Sequence, residues 1–389
     1  MPTDPGGPGW EGLVVVVATS FWDGTPLLER HLAAELTRYA PVLYVEPPTS
    51  VLSRFRNREA GSRGRPGLRV VQPGLAVLSV RLPPLKDRPW AKPASLVLLR
   101  RALRRAVARL DGAGTVRVLA VTSLDPVLGC LDEELSVYYA KDDYVAGAGL
   151  VGLPAAAIDR YVTALCANAG LVVAVSPVLA QSLAQRGVAP VVIPNGCDVE
   201  LFSGATLPSE GTPPTVAFVG HLSDRVDVAL IHAVAERGVR VLLVGPAQET
   251  MSSGHFDALI AHPSVQWVGA VPYADLPRHL SAATTCLLPY TDTEFNRASF
   301  PLKALEYLAA GRRVVGTDLP ALRWLGTDLV TIADGPQAFV DAVVQSLAEP
   351  LTAAEVARRR ELAAGHTWTQ RARSFAEASG LVTSDEVTS

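Results

Sequence analysis

Short runs of β-branched and apolar residues alternate along the chain with longer stretches that have the hydrophobic period of a helix. This alternation is typical of βαβ units, so the predicted fold class is α/β with parallel sheets. The predicted strands of the first half are Leu13–Ala18, Val42–Glu46, Val116–Val121, Ser136–Ala140, Leu171–Val175 and Val191–Ile193. Its main predicted helices are Pro26–Tyr39, Ser95–Leu110, Ala155–Asn168 and Pro177–Arg186.

The second half repeats this rhythm after a stretch of turn-forming residues at 203–214, which indicates a linker. Its predicted strands are Thr215–Val219, Val239–Val244, Val265–Val268, Thr285–Leu288, Arg313–Gly316 and Leu329–Ile332. Its predicted helices are Val226–Arg237, Ala274–Ala282, Leu302–Ala310, Pro336–Leu347, Ala353–Ala364 and Trp368–Ser379. Because 389 residues exceed what one core usually organises, we predict domains at 1–205 and 206–365 and a C-terminal helix in 366–389.

Composition excludes several classes of protein. Hydrophobic residues make up 49% of the chain and charged residues 19%, which excludes disorder over most of its length. No apolar run is long enough for a membrane helix, and the first ten residues lack the features of a secretory signal, so we expect a cytoplasmic protein. The four cysteines are far apart in sequence and have no histidine at ligand spacing, which disfavours a zinc site or a disulfide framework.

The net charge of −3 hides a basic segment at 54–105. It holds 14 lysines and arginines against Glu59 and Asp87, a balance of +12. Its first part, 54–67, is rich in glycine and arginine and is predicted to be a loop. The segment is either a solvated loop and helix face or a patch that attracts phosphates, anionic lipid or nucleic acid.

Two strand exits in the first half could carry chemistry. The first strand leads into a turn at Gly24 and then a helix, an arrangement that presents free N–H groups to an anion but also occurs as a plain turn with a helix cap. The turn lacks the glycine spacing of dehydrogenases. The strand Ser136–Ala140 leads into Lys141, Asp142 and Asp143, whose carboxylates could orient hydroxyls or share a proton, or could simply cap the next turn.

The second half has similar strand exits. Gly220 follows the strand Thr215–Val219, and Arg225 lies where its guanidinium could hold a diphosphate or could be solvated. Before the linker, Asn195 and Gly196 form a tight turn that permits positive φ and that Asp198 can close.

The segment 296–315 is the most informative. Ser299 is predicted to cap a helix whose first turn contains Pro301, and Lys303 and Glu306 lie three residues apart on one face. That face offers one cation for phosphate and one carboxylate for ribose hydroxyls. The alternative is an ordinary surface ion pair.

The stretches at 193–198, 218–225, 268–273 and 299–315 together resemble the GT-B glycosyltransferases of family four, and within them the teichuronic-acid and related polysaccharide subgroup. The resemblance is specific over 170–316. It implies two Rossmann-like domains facing a central cleft, with the last helix crossing back to the first domain. It further implies a nucleoside diphosphate sugar donor, retention of anomeric configuration, and neither a metal nor another cofactor.

The resemblance also assigns roles to residues. Arg225 and Lys303 resemble the family's diphosphate-binding pair, and Glu306 its ribose-binding acid. Val271 and Tyr273 fall where the backbone meets the base, and Gly24 and Gly220 lie at the glycine turns that meet the donor phosphates. The family's other glutamate is replaced by Ala298, so Ser299 or Asn296 is expected to contact the sugar. A first-domain histidine is replaced by the sequence Lys141-Asp142-Asp143.

The sequence therefore predicts a retaining, metal-independent hexosyltransferase that acts on a hydroxyl of a glycan, a lipid-linked or a natural-product acceptor, with Asp142 or Asp143 orienting that acceptor. The first domain is expected to bind the acceptor and the second the donor. Nucleic acid is not an expected partner, and peripheral membrane contact through 54–105 is. Two alternatives stay open: a nucleotide-sugar epimerase, and a nucleotide-sugar-binding scaffold at a membrane surface.

Overall fold

The computed structural model describes residues 10–50, 66–84, 91–110, 115–208, 211, 213–248 and 253–382. It divides into two compact units, the first formed by Met1–Pro194 with Arg371–Ser389 and the second by Asn195–Gln370. The chain passes from the first unit to the second after Pro194 and returns after Gln370, whereas the predicted boundaries lie after 205 and 365. Most of the predicted loop at 54–67, and residues 209, 210 and 212 of the predicted linker, lie outside the described residues.

The first unit is built on an eight-stranded sheet in the order β3-β4-β2-β1-β5-β6-β7-β8. Its strands are β1 (Leu13–Val17), β2 (Val42–Val45), β3 (Gly67–Gln72), β4 (Leu75–Ser79), β5 (Val116–Val121), β6 (Leu135–Ala140), β7 (Leu171–Ala174) and β8 (Val191–Val192). All neighbouring strands are parallel except the β3–β4 pair. β1 and β2 are buried on both faces, which explains their unbroken valine-rich sequences.

Within the described residues, five helices connect these strands. They are α1 (Leu28–Leu36), α2 (Lys92–Val107), α3 (Ala148–Val151), α4 (Ala155–Asn168) and α5 (Pro177–Ala184). α5 begins where its sequence predicts, because the Ser176 hydroxyl accepts a hydrogen bond from the Leu179 amide and Pro177 occupies the first turn.

β3 and β4 are not among the predicted strands, because the arginine-rich segment 54–105 has the composition of a basic loop and a helix face. β4 is almost completely buried between β2 and β3, whereas β3 is an antiparallel edge strand with a half-exposed, mixed sequence. The Gly74 turn that joins them, with φ 74°, is the local signal of this hairpin.

The second unit has a six-stranded parallel sheet in the order β11-β10-β9-β12-β13-β14. Its strands are β9 (Thr215–Val219), β10 (Arg240–Val244), β11 (Val265–Trp267), β12 (Thr285–Leu288), β13 (Arg313–Thr317) and β14 (Val330–Ala333). Taken in chain order, this is the strand arrangement of a Rossmann fold, whose switch point lies between the first and fourth strands, here β9 and β12.

The helices of the second unit pack on both faces of this sheet. They are α6 (Val199–Ser203), α7 (Val228–Glu236), α8 (Ser253–Ala261), α9 (Leu276–Leu280), α10 (Glu294–Ala298), α11 (Leu302–Ala309), α12 (Pro320–Trp324), α13 (Pro336–Ser346) and α14 (Ala353–Ala364), with a 3-10 turn at Tyr273–Asp275. α14 begins with a full capping box formed by Thr352 and Glu355.

The last helix, α15 (Trp368–Ala378), begins in the second unit and ends in the first. Within the first unit, its Phe375 stacks on Tyr139 of β6 with ring centroids 5.9 Å apart. Both rings are buried, so this end of the chain is part of the first unit's core. No helix of the described chain combines the length and apolarity needed to cross a membrane.

Candidate active site

The strongest cluster of predicted site residues lies at the carboxyl edge of the second sheet. Gly220 directly follows β9, and Pro289 and Tyr290 follow β12, so both exits flank the switch point. In open α/β sheets this position is where ligands bind. A ligand site of this sheet is therefore expected at this edge.

Gly220 belongs to a tightly packed pair of backbone turns. A Cβ at Gly245, which follows β10 with φ 138°, would lie 1.9 Å from the Gly220 carbonyl oxygen. A Cβ at Gly220 would meet the ring of Phe218 at 3.2 Å and Cε of Lys303 at 3.9 Å. Gly245 must therefore be glycine for steric reasons, and Gly220 leaves an open approach beside the Lys303 side chain.

Arg225 is held in place by the segment around α10. Its Nε donates to Asn296 Oδ1 at 2.9 Å and its Nη2 to the Ser299 hydroxyl at 3.3 Å. The guanidinium also lies over the Phe295 ring, 4.6 Å from its centroid. No carboxylate of the described residues pairs with Arg225, so its charge is oriented but not neutralised.

Lys303 and Glu306 form the predicted pair on α11, and the pair is more buried than a surface ion pair. Lys303 Nζ lies 2.6 Å from Glu306 Oε2, and the Glu306 side chain is only 2% exposed. The Tyr273 hydroxyl also hydrogen-bonds Glu306, and burial together with the Glu306 charge raises the pKa of Tyr273. The carboxylate is thus fixed between an ammonium and a phenol.

Tyr290 lies beside Arg225, whose guanidinium is 5.7 Å from the centroid of the Tyr290 ring. Its buried hydroxyl has a raised pKa because of burial, which the charges of Arg225 and Lys303 partly oppose. The structure therefore brings Gly220, Arg225, Lys303 and Glu306 into one cluster with Asn296 and Ser299, although these residues span almost 90 positions of sequence.

One local interpretation of this region was wrong. Ser299 does not cap α11, since Pro301 occupies that position without a side-chain cap; Ser299 instead ends α10 and donates to the Phe295 carbonyl at 2.8 Å. Gly196 does not have positive φ. It is required because a Cβ there would lie 2.7 Å from the Trp368 backbone nitrogen.

The two residues assigned to the base differ in their surroundings. Val271 is half-buried in the loop after β11, close to Gly269, whose carbonyl accepts the Gly245 amide at 2.8 Å. Tyr273 packs edge-on against Phe202, with centroids 5.6 Å apart, and its hydroxyl is directed to Glu306. Tyr273 is therefore a support for the carboxylate in addition to any backbone contact that it offers.

The remaining predicted residues belong to the first unit. Gly24 is half-buried in the turn after β1, and its carbonyl accepts a hydrogen bond from Arg30 Nη1 at 3.0 Å. Asp143 Oδ1 accepts the amides of Val145 and Ala146 at 3.1 and 3.0 Å, which is the capping arrangement that the sequence left open. Asp142 is half-buried, two residues beyond the end of β6.

Sequence reasoning missed Glu29, which is the centre of a polar network at this edge of the first sheet. Its buried carboxylate lies 2.8 Å from Lys141 Nζ and 2.7 Å from the Thr19 hydroxyl, and the Thr122 hydroxyl donates to it at 3.1 Å. Lys141 Nζ also donates to the Thr19 hydroxyl. Burial raises the pKa of Glu29, but the Lys141 charge and these hydrogen bonds outweigh burial and hold it at about 2.

The described residues contain no group of histidine, cysteine and acidic side chains suited to a metal ion. All four cysteines are buried and free, as predicted.

Comparison with known proteins supports the resemblance. Residues 213–349 match the family described as "Glycosyl transferases group 1" and form a domain of that kind. The chain is 28% identical over 187 residues to a protein assigned to teichuronic acid biosynthesis, glycosyltransferase TuaH of Bacillus subtilis (strain 168), covering 45% of this chain and 47% of the relative. It is 30% identical over 196 residues to the phosphatidyl-myo-inositol mannosyltransferase of Mycolicibacterium smegmatis, covering 46% and 48%. The matches thus span about half the length of these relatives.

Solved structures match over nearly the whole chain. Sucrose-phosphate synthase from Thermosynechococcus elongatus aligns with a TM-score of 0.72 at 16% identity, covering 94% of this chain and 97% of that one. HepE from Anabaena, solved with UDP and glucose, aligns with a TM-score of 0.66 at 14% identity, covering 95% and 100%. These matches confirm the predicted GT-B fold with its two α/β domains.

Proposed function

We propose that this chain is a retaining glycosyltransferase that transfers a hexose from a nucleoside diphosphate sugar to a hydroxyl group. The observation that carries the proposal is the Arg225–Lys303–Glu306 cluster at the switch point of the group 1 domain. The second unit binds the donor and the first unit the acceptor. HepE, which shares the fold, was solved with UDP and glucose, which supports a nucleotide sugar as the donor class.

In this proposal, Arg225 and Lys303 bind the donor diphosphate. Asn296 and Ser299 hold the Arg225 guanidinium before any ligand arrives, so the cation needs little reorganisation. As the sugar leaves, negative charge develops on the diphosphate, and fixed cations stabilise it more than they stabilise the intact donor. Transfer then proceeds without a metal ion.

Glu306 accepts hydrogen bonds from the ribose hydroxyls of the bound nucleotide. A carboxylate fixed by Lys303 and Tyr273 is a rigid hydrogen-bond acceptor, so it favours one orientation of the bound ribose. The loop that contains Val271 and Tyr273 contacts the base mainly through its backbone, so the sequence does not specify which base is bound. Asn296 or Ser299, in the segment around α10 that holds Arg225, contributes to the sugar site.

The first unit presents the turn at Gly24 and the exit at Asp142 and Asp143 to the reactants. Asp142 or Asp143 orients the acceptor hydroxyl, and Asp143 Oδ1 also accepts two backbone amides. The buried hydrogen-bond network of Glu29 and Lys141 holds this edge of the first sheet in place. The acceptor is a glycan, a lipid-linked sugar or a small natural product.

Peripheral contact with the inner membrane face would suit a lipid-linked acceptor. Helix α2 carries exposed Arg101, Arg104 and Arg105, together with the exposed apolar side chains of Val97 and Leu98. Such a face can bind anionic lipid through charge and a shallow apolar insertion. Co-sedimentation with anionic vesicles that weakens with salt supports this part of the proposal; binding to neutral vesicles alone contradicts it.

The experiment that tests the proposal is a thermal-shift panel of UDP, dTDP, GDP and their sugar conjugates, with and without magnesium. Ligands that bind the folded state raise Tm by mass action. Lys303→Met combined with Glu306→Gln removes the charged pair without leaving a buried unpaired carboxylate. We expect one nucleotide to stabilise the wild type, independently of magnesium, and to lose its effect in the double variant.

Arg297→Met is the matched control, since Arg297 lies nearby on α10 but pairs at the surface with Asp292. It should retain the full nucleotide shift. An absence of any shift in the wild type, or an equal loss in both variants, contradicts the assignment of the site. Nucleotide-sugar binding without turnover over a broad acceptor panel favours the scaffold. Conversion of the donor sugar in the absence of an acceptor favours an epimerase. A product with inverted anomeric configuration refutes retention.

A further inference from the structure

Tyr307, on α11, lies beside the switch point of the second sheet but has no part in the function proposed above. Its side chain is completely buried, and its hydroxyl makes two hydrogen bonds to the last residue of β9. The Val219 amide donates to the hydroxyl at 2.9 Å, and the hydroxyl donates to the Val219 carbonyl at 3.1 Å. One side chain therefore satisfies both polar backbone groups at the end of this strand.

The strand pairing explains why Val219 needs this partner. In the described sheet, β9 pairs with β10 along its whole length, but its pairing with β12 ends at Ala217. The Thr215 carbonyl accepts a hydrogen bond from the amide that precedes β12, so Val219, four residues further on, directs its backbone groups to the same side. Because β12 no longer pairs with β9 at this point, the Tyr307 hydroxyl takes the place of the neighbouring strand.

The chain that follows β9 meets the chain that follows β12 again a few residues later. Val226 forms an isolated antiparallel bridge with Tyr290. The segment between the end of the strand pairing and this bridge is thus held at both ends, and it contains Gly220 and Arg225. Tyr307 is hydrogen-bonded to this segment directly before Gly220, so it acts on the part that lies furthest from the bridge.

Helix α11 connects this contact to the Lys303 side chain. Lys303 and Tyr307 are four residues apart, so they lie one turn apart on the same face of the helix. A Cβ built on Gly220, the residue after Val219, would lie 3.9 Å from Lys303 Cε. The Tyr307 hydroxyl therefore fixes the spacing between the Gly220 turn and the Lys303 side chain.

We propose that Tyr307 is a positioning residue of the donor site, a role that rests on the function proposed above. Its hydroxyl holds the end of β9 against α11, so that the Gly220 turn and the Lys303 ammonium contact the same diphosphate. Without the hydroxyl, the Val219 amide and carbonyl are buried without a partner, and the strand end moves to recover hydrogen bonds. The site then keeps its charges but loses the spacing between them.

Calorimetric titration with UDP, dTDP and GDP tests the proposal on the wild type and on Tyr307→Phe, which removes only the hydroxyl. We expect the nucleotide that binds the wild type to bind the variant about tenfold more weakly. At saturating nucleotide, the phosphorus NMR resonances of the bound diphosphate should differ from those in the wild type, because the groups around it are displaced. The Val219 amide should exchange its hydrogen about tenfold faster in the variant, with a smaller change in β14.

Thr285→Val is the matched control, because it also removes a buried hydroxyl from the second sheet. The Thr285 hydroxyl lies 2.8 Å from that of Ser346, at the start of β12 and thus at the opposite edge of the sheet. This variant should lose stability in urea unfolding but retain the nucleotide affinity and the phosphorus resonances of the wild type.

The possible failures can be told apart. Wild-type affinity or wild-type phosphorus resonances in Tyr307→Phe, or an equal loss of affinity in Thr285→Val, overturn the role of Tyr307 and leave the donor site in place. Absence of nucleotide binding by the wild type overturns the donor site, and the role of Tyr307 with it.

Discussion

Replacing Glu29 by glutamine should destabilise the first unit strongly at neutral pH. The Glu29 carboxylate is fully buried, and it accepts hydrogen bonds from Lys141, Thr122 and both the amide and the hydroxyl of Thr19. Glutamine keeps the size of the side chain but removes the charge. The substitution therefore leaves the Lys141 ammonium, which is only 13% exposed, without its counter-ion.

The expected loss follows from the pKa of Glu29. A value of about 2 in place of 4.5 corresponds to roughly 3 kcal/mol of stability. Because the folded state lowers this pKa, the contribution is fully present above pH 4.5 and is lost as the pH falls from there toward 2. Breaking a buried pair by removing one partner costs a similar amount, about 3–5 kcal/mol.

Urea unfolding measures this effect at pH 8, 7, 5.5, 4.5 and 3.5. Hydrogen exchange of the β1 amides shows whether the loss of stability lies in the first unit. Glu35→Gln is the matched control on the same helix, since Glu35 pairs with the exposed Arg38 and should cost no more than about 0.5 kcal/mol. The difference between Glu29→Gln and wild type should be constant from pH 8 to 5.5 and shrink below 4.5. Equal stabilities of the two variants at pH 7, or a difference unchanged at pH 3.5, would refute the reasoning.

Three further predictions concern the second unit. Gly245→Ala should destabilise it by about 3 kcal/mol or more in urea unfolding, because the new Cβ would meet a backbone oxygen at 1.9 Å. Gly254→Ala is the control and should be tolerated, because a Cβ there has no neighbour within 4 Å. Similar urea midpoints of unfolding for the two variants contradict this prediction. Asn296→Ala should weaken nucleotide binding about tenfold in calorimetry by releasing Arg225, and unchanged affinity would show that the guanidinium needs no such support. The Cys286 thiol, whose pKa burial raises to about 12, should react with Ellman's reagent at pH 8 only after unfolding, and rapid reaction of the native protein contradicts its burial.

The fold was largely predictable because most of its strands have continuous apolar, β-branched sequences. Parallel strands buried on both faces need continuous β-branched runs, and segments such as Leu13–Val17 and Thr215–Val219 have them. The hairpin of β3 and β4 was missed for the opposite reason. An edge strand such as Gly67–Gln72 can alternate polar and apolar residues freely, and its arginine-rich surroundings obscured the buried partner strand.

The site was predictable only where its geometry is local. Lys303 and Glu306 share a helix face, so their spacing alone indicated that they meet. The bonds from Asn296 to Arg225 and from Tyr273 to Glu306 join residues far apart in sequence, and only the folded sheet brings them together. Glu29 gave no signal at all, because an acid in the first turn of an amphipathic helix is ordinary until its burial is known.

The distribution of lysine gives the buried pairs a common explanation. The chain has 35 basic residues but only four lysines, and each lysine of the described residues forms a short ion pair: Lys92 with Asp125, Lys141 with Glu29 and Lys303 with Glu306. A compact ammonium with rotatable donors fits beside a buried carboxylate, where a planar guanidinium would need more space and more acceptors. In a chain that otherwise uses arginine, lysine at 141 and 303 therefore marks the two sheet edges where a cation must be small and almost enclosed.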